Sequence, residues 1–79
     1  MTTGQVIREA VYDGRPVAVL RCFDGADGMT IVEAEVTPVG TGETVRRGPY
    51  QFASAHEAFR FLQEATLALQ YLGCSIASS

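Results

Sequence analysis

A chain of 79 residues makes one domain, and at that size folding buries only about 60% of the surface the unfolded chain exposes. Hydrophobic content of 47% argues for a folded globule over a disordered tail, and no apolar run approaches the roughly 18 residues of a membrane span. The formal net charge of −3 weighs against a generic nucleic-acid binder, which needs a positive field.

The opening residues MTTGQVIREA lack the apolar stretch of a signal peptide, so the chain is expected in a reducing cytoplasm with Cys22 and Cys74 as free thiols. Residues 5–12 read as a first strand. Asp13-Gly14 follows, the preferred pair for a two-residue turn in which both central residues take positive φ. Residues 15–23 form a second strand, and the turn-rich DGADG segment closes it. Residues 29–38 form a third strand, and residues 39–43, with glycines at 40 and 42, a second loop. Residues 44–52 form a fourth strand, bent at Gly48-Pro49 and so expected at a sheet edge. Ser54 with Glu57 three residues later is a capping box, each side chain satisfying a free amide of the first turn. The helix is predicted to run to about Leu72, where Gly73 ends it. The expected fold is therefore α+β: a single domain over 1–79, an antiparallel sheet of about four strands, and one long C-terminal helix packed on one face.

A two-residue turn at 13–14 would pair Tyr12 with Arg15, Ala10 with Val17, Arg8 with Val19 and Val6 with Arg21. Those residues would share one sheet face, with Ile7, Val11, Ala18, Leu20 and Cys22 on the other. Val32, Ala34 and Val36 continue the apolar face, and Glu33 and Glu35 the polar one. The open face is then expected to carry Arg8, Tyr12, Val17, Val19, Arg21, Phe23, Glu33, Glu35 and Arg47, while Glu9 falls among apolar residues as an exception. On the helix, Ala58, Phe61, Leu62, Ala65, Ala68, Leu69 and Leu72 make a stripe at helical spacing that should face the sheet. Phe59, Leu67 and Tyr71 fall outside it.

Chemistry-bearing residues are sparse. His56 is the single histidine and sits in the first helical turn, with no serine or cysteine motif around it. DGADG is too short for a calcium loop and lacks its closing glutamate. GTGET precedes a strand, whereas a phosphate-cradling glycine loop must open a helix. The two cysteines have neither the spacing nor the histidine pair of a metal site. No catalytic residue, cofactor or metal is therefore expected. Glu33 and Glu35 are expected to pair with Arg21 and Arg47 across strands. All six basic residues are arginines, whose planar fork suits carboxylates and phosphates.

The stretch from Val17 to Leu62, VAVLRCFDGADGMTIVEAEVTPVGTGETVRRGPYQFASAHEAFRFL, resembles in layout some small phage-encoded anti-CRISPR inhibitors. They are chains of similar length with curled antiparallel strands, short turns and a serine-capped helix. The resemblance carries over no functional residue. It implies a compact inhibitor that blocks a larger nucleoprotein complex by surface contact, in the host cytoplasm if phage-encoded.

The expectation is a non-enzymatic binding protein, an inhibitor or modulator acting on another protein or nucleoprotein complex and touching no membrane. Arg8, Tyr12, Arg21, Phe23, Arg46 and Arg47 are the candidate partner-binding residues. Phe59, Leu67 and Tyr71 on the helix, or Val17 and Val19 on the sheet, are candidates for a homodimer interface. The alternative is a homodimeric nucleic-acid-binding or antitoxin-like regulator.

Overall fold

The computed structural model describes residues 5–38 and 43–78. Five antiparallel strands form one sheet in the order β4-β3-β2-β1-β5. They are β1 (Val6–Tyr12), β2 (Arg15–Asp24), β3 (Thr30–Val36), β4 (Val45–Phe52) and β5 (Ser75–Ser78), with α1 (Ala55–Tyr71) between β4 and β5. The α+β architecture and its single C-terminal helix are as the sequence implied, with one strand more. The glycines at 40 and 42 lie outside the described residues.

The first hairpin turns at Asp13 and Gly14, with φ of 53° and 77°, and Tyr12 pairs with Arg15 as expected. One step further the register departs from expectation. Val11 pairs with Pro16 but Ala10 pairs with Ala18, so Val17 is an extra residue in β2. The cause is legible in Pro16. A proline has no N–H to give to a ladder, and within an interior strand it is accommodated at a bulge. Val17 still contributes, its carbonyl accepting the Thr37 N–H at 2.8 Å.

The bulge inverts the predicted faces of β1. Arg8 stands opposite Leu20 and Val6 opposite Cys22, on the helix side, whereas Glu9 stands opposite Val19 and Ile7 opposite Arg21, on the open side. Glu9 is thus no exception on an apolar face. A second irregularity re-aims β4. Two residues of β3, from Val32 to Ala34, are spanned by three steps of β4, from Tyr50 to Arg47. Gly48 takes φ of 92° here, and a Cβ on it would meet the Val32 carbonyl oxygen at 3.0 Å. Only glycine fits that approach. Arg46 therefore faces Glu35 on the open side and Arg47 faces Ala34 on the helix side, the reverse of the predicted placement. As expected, β4 is an edge strand.

Helix α1 opens at Ser54, whose side chain accepts the Glu57 N–H at 3.3 Å. The Glu57 carboxylate meets the Ser54 hydroxyl at 3.5 Å instead of the backbone amide that a full capping box would engage. At the other end Gly73 has φ of 97°, its N–H reaches the Gln70 carbonyl at 3.0 Å, and the Cys74 N–H reaches that of Leu69 at 3.1 Å. This double closure reverses the chain and delivers β5 beside β1. Ala58, Leu62 and Thr66 are the buried line of the helix, with Phe61, Ala65 and Leu69 at its margin. The expected stripe is thus rotated: Thr66 replaces Ala68, which is exposed, and Leu72 is 74% exposed. Thr66 is tolerated there because its hydroxyl donates to the Leu62 carbonyl at 2.7 Å. The core is Leu20, Cys22, Val32, Ala34, Ala58 and Leu62. Phe61 extends it toward β4, tilted against Tyr50 and Phe52 with ring centroids 5.2 and 5.4 Å away.

Candidate interaction surfaces

With one helix against a five-stranded sheet, one sheet face has no secondary-structure element over it among the described residues. Strand alternation and the observed register assign that open face row by row. Glu9, Val19, Glu35 and Arg46 align across β1 to β4; Ile7, Arg21 and Glu33 form the next row; Phe23, Ile31 and Gln51 the next. Ile7, Val19, Phe23 and Ile31 are half-buried, shielded by neighbouring side chains alone in most places. Ile31 is the exception: it packs so closely on Gly25 that a Cβ there would lie 2.6 Å from its Cδ1.

Electrostatics on this face centre on Glu35. Arg21 bridges to one of its carboxylate oxygens and the Arg46 guanidinium lies 3.8 Å from the other. Arg21 faces Glu33 in register yet reaches diagonally to Glu35. The expected pairing of Glu33 and Glu35 with Arg21 and Arg47 is corrected accordingly. Glu9 and Glu33 have no ion-pair partner among the described residues. Arg46 keeps 79% of its side-chain surface exposed.

The six residues expected to act together at a partner surface divide in two. Arg21, Phe23 and Arg46 share the open face. Arg8 and Arg47 turn to the helix side because of the two irregularities, and Tyr12 joins them. The Arg8 Nε is buried with no hydrogen-bond partner among the described residues. Of the proposed dimer residues, Val19 remains on the open face while Val17, displaced by the bulge, does not. Phe59, Leu67 and Tyr71 stand 46%, 52% and 93% exposed on α1.

Sequence reasoning missed a cavity of about 290 Å³ at the C-terminal end of α1. Tyr12, Val17, Val36, Leu69, Leu72 and Cys74 line it, so it is almost wholly apolar. It exists because the bulge swings Val17 and Tyr12 toward the helix, and only Pro16 hinted at that in the sequence. Cys22, by contrast, is sealed in the core, where burial first and the Asp24 charge second push its thiol above the ordinary value of 9.0. Both cysteines are free thiols. His56 is exposed, and the DGADG turn carries Asp27 at φ of 57°. Among the described residues no three His, Cys, Asp or Glu side chains gather as a metal requires.

No protein-family model, curated protein or solved structure matches this chain.

Proposed function

We propose that this chain is a non-enzymatic binding protein that acts by protein–protein contact, as an inhibitor or modulator of a larger assembly, with the open sheet face as its contact surface. The supporting observation is the composition of that face. Rows of half-buried Ile7, Val19, Phe23 and Ile31 alternate with Arg21, Glu35, Arg46 and with Glu9 and Glu33, which have no ion-pair partner among the described residues. Protein interfaces share this anatomy, with aromatic and aliphatic side chains at the centre and charges that fix orientation. Five strands spaced by about 4.8 Å and some 23 Å long give roughly 450 Å² in flat projection. With side-chain relief added, that suits an interface at the low end of the size range, below about 600 Å² per partner. Exposed ion pairs contribute at most about 1 kcal/mol, so a partner carboxylate can recruit Arg46 away from Glu35 at little cost.

The nucleic-acid alternative fits this face poorly. Three carboxylates, Glu9, Glu33 and Glu35, stand among two guanidiniums, Arg21 and Arg46, and both guanidiniums are engaged by Glu35. Such a surface repels phosphates. The deciding experiment titrates fluorescent random single-stranded and duplex oligonucleotides with the protein at physiological salt. The proposal expects no binding tighter than about 100 μM. Micromolar binding that Arg21→Ala with Arg46→Ala abolishes would replace it with the nucleic-acid reading.

A further inference from the structure

The outer side of α1 holds a second surface, remote from the open sheet face. Phe59, Gln63, Leu67 and Tyr71 follow one another at i+4 and form a single ridge along the solvent side. Its apolar members are 46%, 52% and 93% exposed. A helix side that faces water ordinarily carries charge. Here no charged side chain occurs from Ala65 to Ser79, and the two charges beside the ridge, Arg60 and Glu64, pair with each other at 4.0 Å. The patch is thus neutral in a chain whose net charge is −3.

We propose that a second copy of this chain packs on this ridge, α1 against α1 about a twofold axis near Gln63 and Leu67. Three observations select a second copy as occupant. First, like-charge repulsion, which a chain of net −3 would otherwise impose on itself, is absent at this patch. Second, i±4n ridges interdigitate with ridges of the same kind at crossing angles near −50°, so the surface fits itself. An antiparallel twofold places Phe59 of one copy against Tyr71 of the other. Third, aromatic side chains carry roughly 150–250 Å² each. Nearly all of Tyr71, with about half of Phe59 and Leu67, therefore offers roughly 400 Å² of apolar surface per copy, to which exposed Gln63, Arg60 and Glu64 add polar surface. The two copies together bring roughly 800 Å² of apolar surface, and with the polar flank they reach the roughly 1,000 Å² at which specific interfaces begin. The dimer leaves the open sheet face free on both copies, so this inference and the proposed function stand or fall separately.

The test is sedimentation velocity of the full chain from about 1 to about 100 μM. Wild type should move from the 8.5 kDa monomer toward twice that mass. Leu67→Glu and Tyr71→Glu should each weaken association at least tenfold while leaving the circular dichroism unchanged. Tyr71→Glu alters a side chain already 93% exposed, so its result does not depend on refolding. Val19→Asp, on the opposite side of the molecule, should still dimerise. Wild type that stays monomeric at every concentration overturns the inference. So does a dimer that survives both helix substitutions, or one that Val19→Asp dissolves.

Discussion

Replacing Leu62 with alanine probes the contact that holds helix and sheet together. Leu62 is 1% exposed, the largest side chain wholly inside, and shares the core with Leu20, Cys22, Val32 and Ala34. The substitution removes three carbons, worth about 0.8 kcal/mol each in transfer free energy, and leaves a void that the flanking strands only partly close. The expected loss is about 3–4 kcal/mol. A core of this size supplies about 3–5 kcal/mol in all, so the variant should be substantially unfolded at 25 °C. Leu62→Met keeps the volume and should lose less than about 1.5 kcal/mol. Urea titration followed by far-ultraviolet circular dichroism at low micromolar concentration measures both, with an unchanged slope certifying a common unfolding reaction. A Leu62→Ala loss below about 1 kcal/mol would show that Leu62 does not sit at the centre of the helix–sheet contact.

The cysteines offer a test of burial and of pH dependence together. At pH 8 a thiol-specific alkylating reagent should label Cys74 quickly and Cys22 only as the protein unfolds; equal rates would contradict the placement of Cys22 in the core. Because the folded state holds the Cys22 proton more tightly than the unfolded chain, its contribution to stability is fully present below pH 9.0 and is lost as pH rises through the higher folded value. Cys22→Ala should cost about 1 kcal/mol near neutrality and flatten that alkaline decline. At the helix start, Ser54→Ala removes the acceptor of the Glu57 N–H and should cost about 1 kcal/mol, or roughly 4–8 °C in melting temperature, while Ser54→Asp restores most of it. An unchanged melting temperature in Ser54→Ala would mean the cap is not formed in solution.

Local rules carried the fold a long way. Asp13-Gly14, the Ser54 cap and Gly73 each announce their backbone geometry chemically, and the structure places turns and helix ends at those residues. Strand alternation likewise gave the faces of β3, and of β2 from Ala18 onward, correctly. What a local pattern could not give was the accumulated offset of pairing. Pro16 and Gly48-Pro49 each insert one residue, and one residue inverts every side chain beyond it. Arg8 and Arg47 left the open face for that reason, while Arg46 and Glu9 entered it. β5 escaped notice because four residues of mostly small side chains carry no periodic signal, and its place depends on where α1 and Gly73 deliver the chain. Thr66 was passed over because a polar side chain looks wrong in a core until its bond to the Leu62 carbonyl is seen.

The open sheet face is the central functional claim, and site-specific photo-crosslinking tests it most directly. A photoreactive phenylalanine analogue at Phe23 should, in the cells that make this protein, yield a discrete adduct that protease destroys and nuclease leaves intact. Val19→Asp, or Arg21→Glu with Arg46→Glu, should abolish that adduct, whereas Leu67→Glu should not. A nuclease-sensitive adduct at Phe23, or a protein adduct indifferent to Val19 and to both arginines, would contradict the assignment of this face as the partner surface.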